Sequence, residues 1–302
     1  MPQSIQVKSI LNKKKRRDSW FLDDYTINPY SACSFNCLFC YTQGSKWGMN
    51  MPARPGGGAD KVSVKENALE ILEKQLQLRA KKKEYGFIVM SSSTDPYLHF
   101  EKDTLLTRQM LELIHTYRFP VHMITRSDLI TRDFDILHKI NNDAILPEEL
   151  ESKLRQKVLI SFSFSTIEQE VASIFEPGAT SIEKRLNTVK SCLDEGFKTG
   201  ISLMPLIPFI SDTTEQLEKT FSLFSTMKVD YILPATLTLF GNERGDSKWL
   251  MYRAIEKHYP HLLPKYKNWF EHSDGMPTHY YLAFNKKMKE LCEKYGLKDR
   301  II

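Results

Sequence analysis

The alternation of short apolar segments with longer segments of helical spacing constrains the fold of this 302-residue chain most. Runs such as "YGFIVMSSS" (85–93) are apolar and end in small polar residues, which is typical of buried strands. Segments with helical spacing fill the intervals between these runs. The predicted strands cover residues 23–30, 85–93, 120–125, 157–165, 198–208 and 230–239, and the predicted helices cover 64–83, 104–117, 132–141, 181–196 and 213–227.

Six successive β/α units predict a parallel sheet. Within one domain, six units fit a barrel or an open partial barrel better than a short doubly wound sheet, so we predict an α/β fold of the partial (β/α)6 TIM-like type. We divide the chain into a basic N-terminal extension (1–23), a core barrel (24–245) and a helical C-terminal region (246–302). Because barrel chemistry takes place at the C-terminal ends of the strands, we expect the functional residues there.

Three cysteines lie close together directly after the first predicted strand. Cys33, Cys37 and Cys40 have the spacing C-x3-C-x2-C, so one loop offers three thiolates. A cubane iron–sulfur cluster can be held through three of its irons while the fourth stays open to a ligand. A structural zinc ion would need a fourth ligand from elsewhere, such as Cys192 or a histidine. Thiols that bind nothing are the third alternative, and the spacing favours the cluster.

Composition limits the setting in which these cysteines act. The N-terminus has no apolar signal region, and no apolar run is long enough to span a membrane. Five cysteines in a chain that needs no disulfides favour a reducing compartment, so we expect a cytoplasmic protein with no membrane partner. The net charge of +5, with a basic run at Lys13–Arg17, permits a nucleic-acid partner without requiring one.

The cysteine segment resembles the signature of the radical S-adenosylmethionine (SAM) enzymes, in which an aromatic residue precedes the last cysteine. Phe39 occupies that position. Further segments between about Asp24 and Leu239 narrow the resemblance to the spore photoproduct lyase-like branch, also described as DNA-repair photolyase-like. These segments are "DYTINPYSACSFNCLFCYT", "VKENALEIL", "STDPY", "ITRSDLITRDFDIL", "SFSFST", "FEPGATSIEKRL" and "SLMPLIPFISD".

The resemblance implies two cofactors, a [4Fe–4S] cluster on Cys33, Cys37 and Cys40, and SAM. In this family the open iron chelates the amino and carboxylate groups of the methionine moiety. One electron then breaks the C5′–S bond, and the 5′-deoxyadenosyl radical abstracts a hydrogen atom from the substrate. The protein orients these groups and excludes water. The resemblance also implies an electron donor such as flavodoxin or ferredoxin.

The same resemblance implies residues that hold the methionine moiety. Ser93, Thr94 and Asp95, after the second strand, would bind the ammonium group, with Asp95 as its charge partner. Arg126, with Ser127 beside it, would pair with the carboxylate, because a guanidinium matches a planar carboxylate. The structural alternatives are a turn at Asp-Pro and a surface salt bridge.

Residues for the nucleoside part of SAM follow from the later strands. Ser161, Ser163 and Ser165 alternate on one face of the fourth strand and would face the ribose; a packing layer of small residues is the alternative. Leu206 and its neighbouring backbone would flank the adenine, and Phe39 would contact the adenine from the cysteine loop.

The chain departs from the spore photoproduct lyases after the second strand. Those enzymes are associated with a cysteine there that returns a hydrogen atom to the product radical, whereas this chain has "VMSSSTDPY". The missing thiol puts dimer-splitting repair in doubt. Tyr97 and Tyr41 are the catalytic candidates, as radical relays, although aromatic residues near a barrel mouth also serve packing.

Three functional hypotheses remain open. The first is a radical SAM enzyme that acts on DNA or RNA, and the second is one that acts on a small molecule or a peptide. The third is a regulatory protein that binds a cluster or zinc without catalysis. The polar residues at the strand ends argue against the third hypothesis, because a binding module needs no sites for an ammonium and a carboxylate.

Overall fold

The computed structural model describes residues 3–45 and 62–302. The strands are β1 (Gln3–Ile5), β2 (Asn12–Lys13), β3 (Tyr25–Ile27), β4 (Tyr30–Ser31), β5 (Ser63–Lys65), β6 (Ile88–Met90), β7 (Val121–Thr125), β8 (Val158–Phe164), β9 (Lys198–Leu203) and β10 (Tyr231–Pro234). The helices are α1 (Ala68–Lys81), α2 (Glu101–Thr104), α3 (Leu106–Thr116), α4 (Phe134–Asp143), α5 (Glu148–Glu151), α6 (Gln169–Phe175), α7 (Ile182–Asp194), α8 (Thr214–Thr226), α9 (Ser247–His258), α10 (Leu263–Phe270) and α11 (Thr278–Tyr295), with 3-10 turns at Asp128–Asp133 and Pro260–Leu262.

Seven strands form the main sheet in the order β10-β9-β8-β7-β6-β3-β2. The six strands from β3 to β10 are parallel, with registers such as Ile27 opposite Met90 and Met90 opposite Met123. Among the described residues no pairing joins β10 to β2, so the sheet curls without closing. The predicted α/β partial barrel is confirmed, and each of the six predicted strands has its counterpart in this sheet.

Two features at the N-terminal side are absent from the sequence prediction. β2 pairs antiparallel with β3 and forms one edge of the main sheet. β1, β5 and β4 form a separate three-stranded sheet, in which β1 pairs with residues about sixty positions further along the chain. Such pairings depend on distant partners, so short segments without clear alternation gave no local signal for them.

The outer face of the sheet carries the main apolar core. Ile88, Met123, Ile160 and Ile201 are fully buried there together with apolar residues of the surrounding helices. Strands covered on both faces are expected to be apolar throughout. The inner face of this sheet departs from that pattern because polar side chains occur on it.

A layer of polar and aromatic side chains fills the bottom of the barrel interior. His122 lies 2.8 Å from the carbonyl oxygen of Phe21 through Nδ1 and 2.7 Å from Ser161 Oγ through Nε2. The Tyr231 hydroxyl lies 2.9 Å from Ser161 Oγ. A methyl group on Gly200 would overlap the Tyr231 ring, so glycine lets this ring cross the interior. The layer seals the barrel below the strand ends.

The C-terminal helices pack around the barrel and its open edge. α11 packs against α8, and the carbonyl oxygen of Tyr295 accepts a hydrogen bond from Ser225 Oγ. Beyond α11, the carbonyl oxygen of Lys298 accepts a hydrogen bond from the Ile232 amide of the edge strand β10. In the described part of the chain, none of the helices has both the length and the apolar character that crossing a bilayer demands.

The buried histidine predicts a pH dependence of stability. Because Nδ1 donates to a carbonyl, Nε2 accepts from Ser161, and burial lowers the pKa of His122 to about 4. The unfolded chain binds this proton below pH about 6.5 and the folded chain only near pH 4, so stability present above pH 6.5 is lost as the pH falls. The total loss is about 3 kcal/mol.

Urea unfolding between pH 7 and 4.5 measures this effect. His122→Gln should reduce the slope of unfolding free energy against pH by about 1.4 kcal/mol per unit in this window. His272→Gln, which changes a ring that is 90% exposed, is the matched control and should keep the wild-type slope. A wild-type slope in His122→Gln would contradict the assignment.

Candidate functional site

A cavity of about 510 Å³ opens at the C-terminal ends of the parallel strands. The cysteine loop after β3 forms one side of it, and residues 91–95 after β6 form the next. Further wall comes from Arg126 after β7 and from Met204 and Pro205 after β9. This is the position that the barrel architecture predicts for a functional site.

The cysteine loop is held by backbone contacts with the segment after α6. The Leu38 amide donates to the carbonyl oxygen of Phe175 (2.9 Å), and the Gly178 amide donates to that of Phe35 (2.9 Å). A Cβ atom at position 178 would lie 2.8 Å from the Phe35 oxygen and 2.6 Å from the Ser34 oxygen. Only glycine allows two backbones to approach this closely. The glycine of "FEPG" therefore shapes the cysteine loop from outside it.

Further contacts close the two ends of the loop. Thr94 Oγ1 donates to the carbonyl oxygen of Ala32 (2.5 Å), which joins the loop to the end of β6. The Gln43 side chain donates to the carbonyl oxygen of Cys37 (3.2 Å), and the Gln43 carbonyl accepts from the Ser247 amide of α9 (3.3 Å). The loop thus rests on three separate parts of the fold.

The three cysteines lie on the cavity wall, and none of them forms a disulfide. Each is partly buried, and burial raises the pKa of the Cys37 thiol. Cys40 Sγ lies 3.0 Å from Thr42 Oγ1. Within residues 3–45 and 62–302, no three His, Cys, Asp or Glu side chains converge on a point where one metal ion would be held. Thiolates of a cubane attach to different irons and need no such point, so the three donors fit a cluster better than a single ion.

Asp95 joins the ends of β6 and β7. Its Oδ1 accepts hydrogen bonds from the Tyr97 amide and from Thr125 Oγ1, both at 2.8 Å, and its Oδ2 accepts from the Arg126 amide at 2.8 Å. Burial raises the pKa of this carboxyl, although the three donors and Arg126 favour its charged form. Oδ2 keeps acceptor capacity for a further donor, since it has two lone pairs and accepts only one of these bonds.

Arg126 belongs to a buried group of charges behind the cavity wall. Its Nε lies 3.6 Å from Glu176 Oε1, and Glu176 Oε2 lies 2.7 Å from Nη2 of Arg185. The Arg126 guanidinium also lies 5.8 Å from the centre of the Phe39 ring. Burial alone would raise the pKa of Glu176, but the charges of Arg185 and Arg126 outweigh it and hold the pKa below its ordinary value.

Ten of the fifteen predicted site residues meet at the cavity. They come from four separate strand ends, which the fold brings together. The ten are Cys33, Cys37, Phe39, Cys40, Tyr41, Ser93, Thr94, Asp95, Arg126 and Ser163.

Five predicted residues lie outside the cavity wall. Ser161 belongs to the sealing layer, and Ser127 Oγ accepts from the Leu129 amide at the start of a 3-10 turn. Ser165 is buried beside Glu176. Leu206 and Tyr97 are buried among apolar residues. These positions are where the structure puts the side chains, and their roles in SAM binding or radical transfer stay predictions.

Several residues of the site were not predicted. Lys14, Asp18, Phe21 and Asp23 line the cavity from the N-terminal segment, and Ala235, Thr236 and Thr238 line it after β10. These two segments lie at opposite edges of the open sheet, so their meeting depends on the curl of the whole sheet. Glu176 and Arg185 both lie in "FEPGATSIEKRL", a segment that supported the family resemblance but did not indicate a buried ion pair.

The basic N-terminal run is largely paired with carboxylates. Lys13 lies 2.9 Å from Glu84, and Lys14 lies 3.1 Å from Asp23. Arg17 pairs with Asp24 at 2.9 Å and with Glu149 at 2.8 Å. Lys15 and Arg16 are exposed and belong to none of these pairs, whereas Lys13 and Lys14 are paired but also exposed.

The sequence profile of the radical SAM superfamily matches residues 27–224, more than half of the chain. The chain belongs to the radical SAM superfamily. Membership implies SAM and an iron–sulfur cluster as cofactors, and it supports an enzyme. The match covers the strands from β3 to β9 and therefore most of the cavity wall.

Several other proteins resemble this chain over most of their length. A variant of spore photoproduct lyase has a TM-score of 0.63 at 17% identity, covering 96% of this chain and 78% of its own. Spore photoproduct lyase with bound AdoMet and dinucleoside spore photoproduct gives a TM-score of 0.61 with the same coverage. An uncharacterized protein of Mycobacterium tuberculosis is 23% identical over 274 residues, covering 90% of this chain and 75% of its own. The structural likeness shows the shared fold.

The close approach at Gly178 predicts a destabilised cysteine loop in Gly178→Ala. The new methyl group would press against two backbone oxygens, which cannot rotate away. We expect a loss of about 1–3 kcal/mol in unfolding free energy, the usual cost of overpacking, and faster loss of protein-bound iron to a chelator. Gly275→Ala, at a glycine with open space around it, is the control. Equal iron loss from both variants would contradict the role of Gly178.

Proposed function

We propose that this chain is an enzyme that holds a [4Fe–4S] cluster on Cys33, Cys37 and Cys40. The bound cluster would supply the electron that cleaves SAM, producing the 5′-deoxyadenosyl radical that abstracts hydrogen from a substrate. One observation supports this proposal most: these three thiols line the same cavity as the buried carboxylate of Asp95 and the guanidinium of Arg126. Soft thiolate donors suit iron–sulfur clusters, and the braced loop presents all three from one side.

The chain's own residues would orient SAM. Arg126 would pair with the methionine carboxylate, because its charge lies on the wall beside Cys37. Asp95, with Ser93 and Thr94 beside it, would accept from the methionine ammonium group. Phe39 would cover the adenine and Ser163 would face the ribose, since both line the cavity.

The groups that complete the reaction are proposed from the cavity as well. The chain's two other cysteines, Cys192 and Cys292, are buried on α7 and α11 and do not line the cavity. Tyr41 does line it, and its ring is 41% exposed. We therefore propose that Tyr41 exchanges a hydrogen atom with a substrate radical. We prefer Tyr41 to Tyr97 because Tyr97 is buried and does not line the cavity.

Two classes of substrate are to be tested. A nucleic acid is suggested by spore photoproduct lyase, which has been crystallised with a dinucleoside spore photoproduct, but this likeness reaches the present chain through the fold alone. A small molecule or a peptide is the alternative. The mostly paired basic run weakens the nucleic-acid candidate, because paired cations attract phosphates less.

Anaerobic reconstitution with iron and sulfide tests the proposed function. We expect about four irons and four sulfides per chain, a brown colour, and release of 5′-deoxyadenosine from SAM under a strong reductant. Cys37→Ala should lose the cluster and this activity, while Cys192→Ala, which changes a fully buried thiol of the helical core, should keep both. A colourless wild-type protein with one tightly held zinc ion would sink the proposal.

Salt dependence tests the nucleic-acid candidate. If Lys15 and Arg16 contact phosphates, changing both to glutamine should reduce the slope of log affinity against log salt by about two on duplex DNA. Lys81→Gln with Lys82→Gln makes the same change of charge on the exposed end of α1 and should leave the slope unchanged. Absence of DNA or RNA binding even at low salt would remove this candidate and leave the small molecule or peptide.

A further inference from the structure

Glu176 is a fully buried carboxylate that the proposed chemistry does not use. Its side chain has no exposed surface, and it lies directly after α6 between the guanidiniums of Arg126 and Arg185. Removing a charge from water is costly unless partners compensate for it. A buried group of three charges behind a cavity wall therefore needs a reason.

Arg185 anchors this group from the side of the helices. Its side chain is 1% exposed, and its Nη1 donates to the carbonyl oxygen of Ser163 on β8 (2.9 Å). Its guanidinium lies 5.0 Å from the centre of the Phe164 ring. With Nη2 only 2.7 Å from Glu176, Arg185 fixes the carboxylate against the barrel.

Arg126 is the member of the group that reaches the cavity. Its side chain is 17% exposed, and its Nη2 donates to the carbonyl oxygen of Met204 (3.3 Å). Its Nε faces Glu176 at 3.6 Å without a hydrogen bond of normal length. Two guanidiniums and one carboxylate sum to one positive charge, and Arg126 is where that charge meets the cavity.

We propose that Glu176 and Arg185 are positioning residues that hold the Arg126 guanidinium in the orientation needed to bind the carboxylate of SAM. Arg185 holds Glu176, and Glu176 holds the Nε side of Arg126. The Nη donors of Arg126 that do not bond to the Met204 carbonyl remain for the ligand. This inference rests on the proposed function, since it assigns the orientation of a residue proposed to bind SAM.

Charge and orientation predict opposite effects for one substitution. Glu176→Gln removes a negative charge beside Arg126, which by Coulomb attraction alone would tighten the binding of a carboxylate. If Glu176 serves to orient Arg126, the same substitution should weaken that binding instead. The double variant Glu176→Gln, Arg185→Met removes one charge of each sign, so the group keeps its single positive charge and loses only the support.

The experiment compares two ligands on the reconstituted protein by anaerobic equilibrium dialysis. SAM carries the carboxylate, and decarboxylated SAM lacks it. Wild type should prefer SAM, and Arg126→Gln should reduce this preference by about tenfold or more, as expected when a charged partner is lost. Both Glu176 variants should reduce the preference by a similar factor, and adding them to Arg126→Gln should change it little further. Glu170→Gln, an exposed carboxylate on α6, is the matched control.

Each outcome decides the matter. A preference that stays at the wild-type value in both Glu176 variants, or rises in Glu176→Gln, would overturn the positioning role while the proposed function stands. Equal losses for both ligands would indicate a merely structural role and would also overturn it. A wild-type protein that binds neither ligand would end the proposed function and this inference together. Thermal unfolding of each variant identifies a misfolded one, and the remaining Glu176 variant then gives the result.

Discussion

The buried carboxylate of Asp95 organises the cavity more than any other side chain. Two of its three hydrogen bonds, from Thr125 Oγ1 and the Arg126 amide, tie the end of β6 to the end of β7, and the third comes from the nearby Tyr97 amide. Hydrogen bonds to a charged acceptor are stronger than neutral ones, and leaving a buried carboxylate unpaired would be costly. The hydrogen bond from the Arg126 amide places the backbone of Arg126 at the cavity wall. The Asp95 carboxylate thus fixes the position from which the Arg126 side chain extends.

Around Asp95, the residues that hold the site in place differ from the groups that face the cavity. Backbone hydrogen bonds from the end of α6 and the residues after it, together with the Thr94 hydroxyl, hold the cysteine loop, while its thiols lie on the cavity wall. The Arg126 side chain is likewise backed by Glu176 and lies against Phe39. Groups that must bind a ligand with a fixed geometry benefit from a rigid second layer of contacts, and here that layer comes from the backbone of one segment and the side chains of the next.

The sequence was informative where the signal was local. Apolar runs and helical spacing predicted the strands β3 to β10 of the main sheet. The strand ends together with the family resemblance predicted ten of the cavity residues. It was uninformative where partners are distant: β2, the small three-stranded sheet and the N-terminal cavity residues depend on pairings across the fold. Ser161 shows the limit of predicting a site residue from the strand face on which it lies. It does point into the barrel, but His122 and Tyr231 occupy it one layer below the cavity.

The basic N-terminal run shows a different limit. A local view counts five positive charges between Lys13 and Arg17. The fold brings Glu84 to Lys13 and Glu149 to Arg17 from distant parts of the chain, and Lys14 pairs with the nearby Asp23. The formal charge of this run is therefore larger than the net positive charge that a binding partner would encounter.

The closed bottom of the barrel limits how molecules can reach the cavity. With His122, Ser161 and Tyr231 packed across the interior, molecules enter and leave on the strand-end side. Under the proposed function, SAM and the substrate would both reach the cavity from that side, and neither could leave through the opposite end of the barrel.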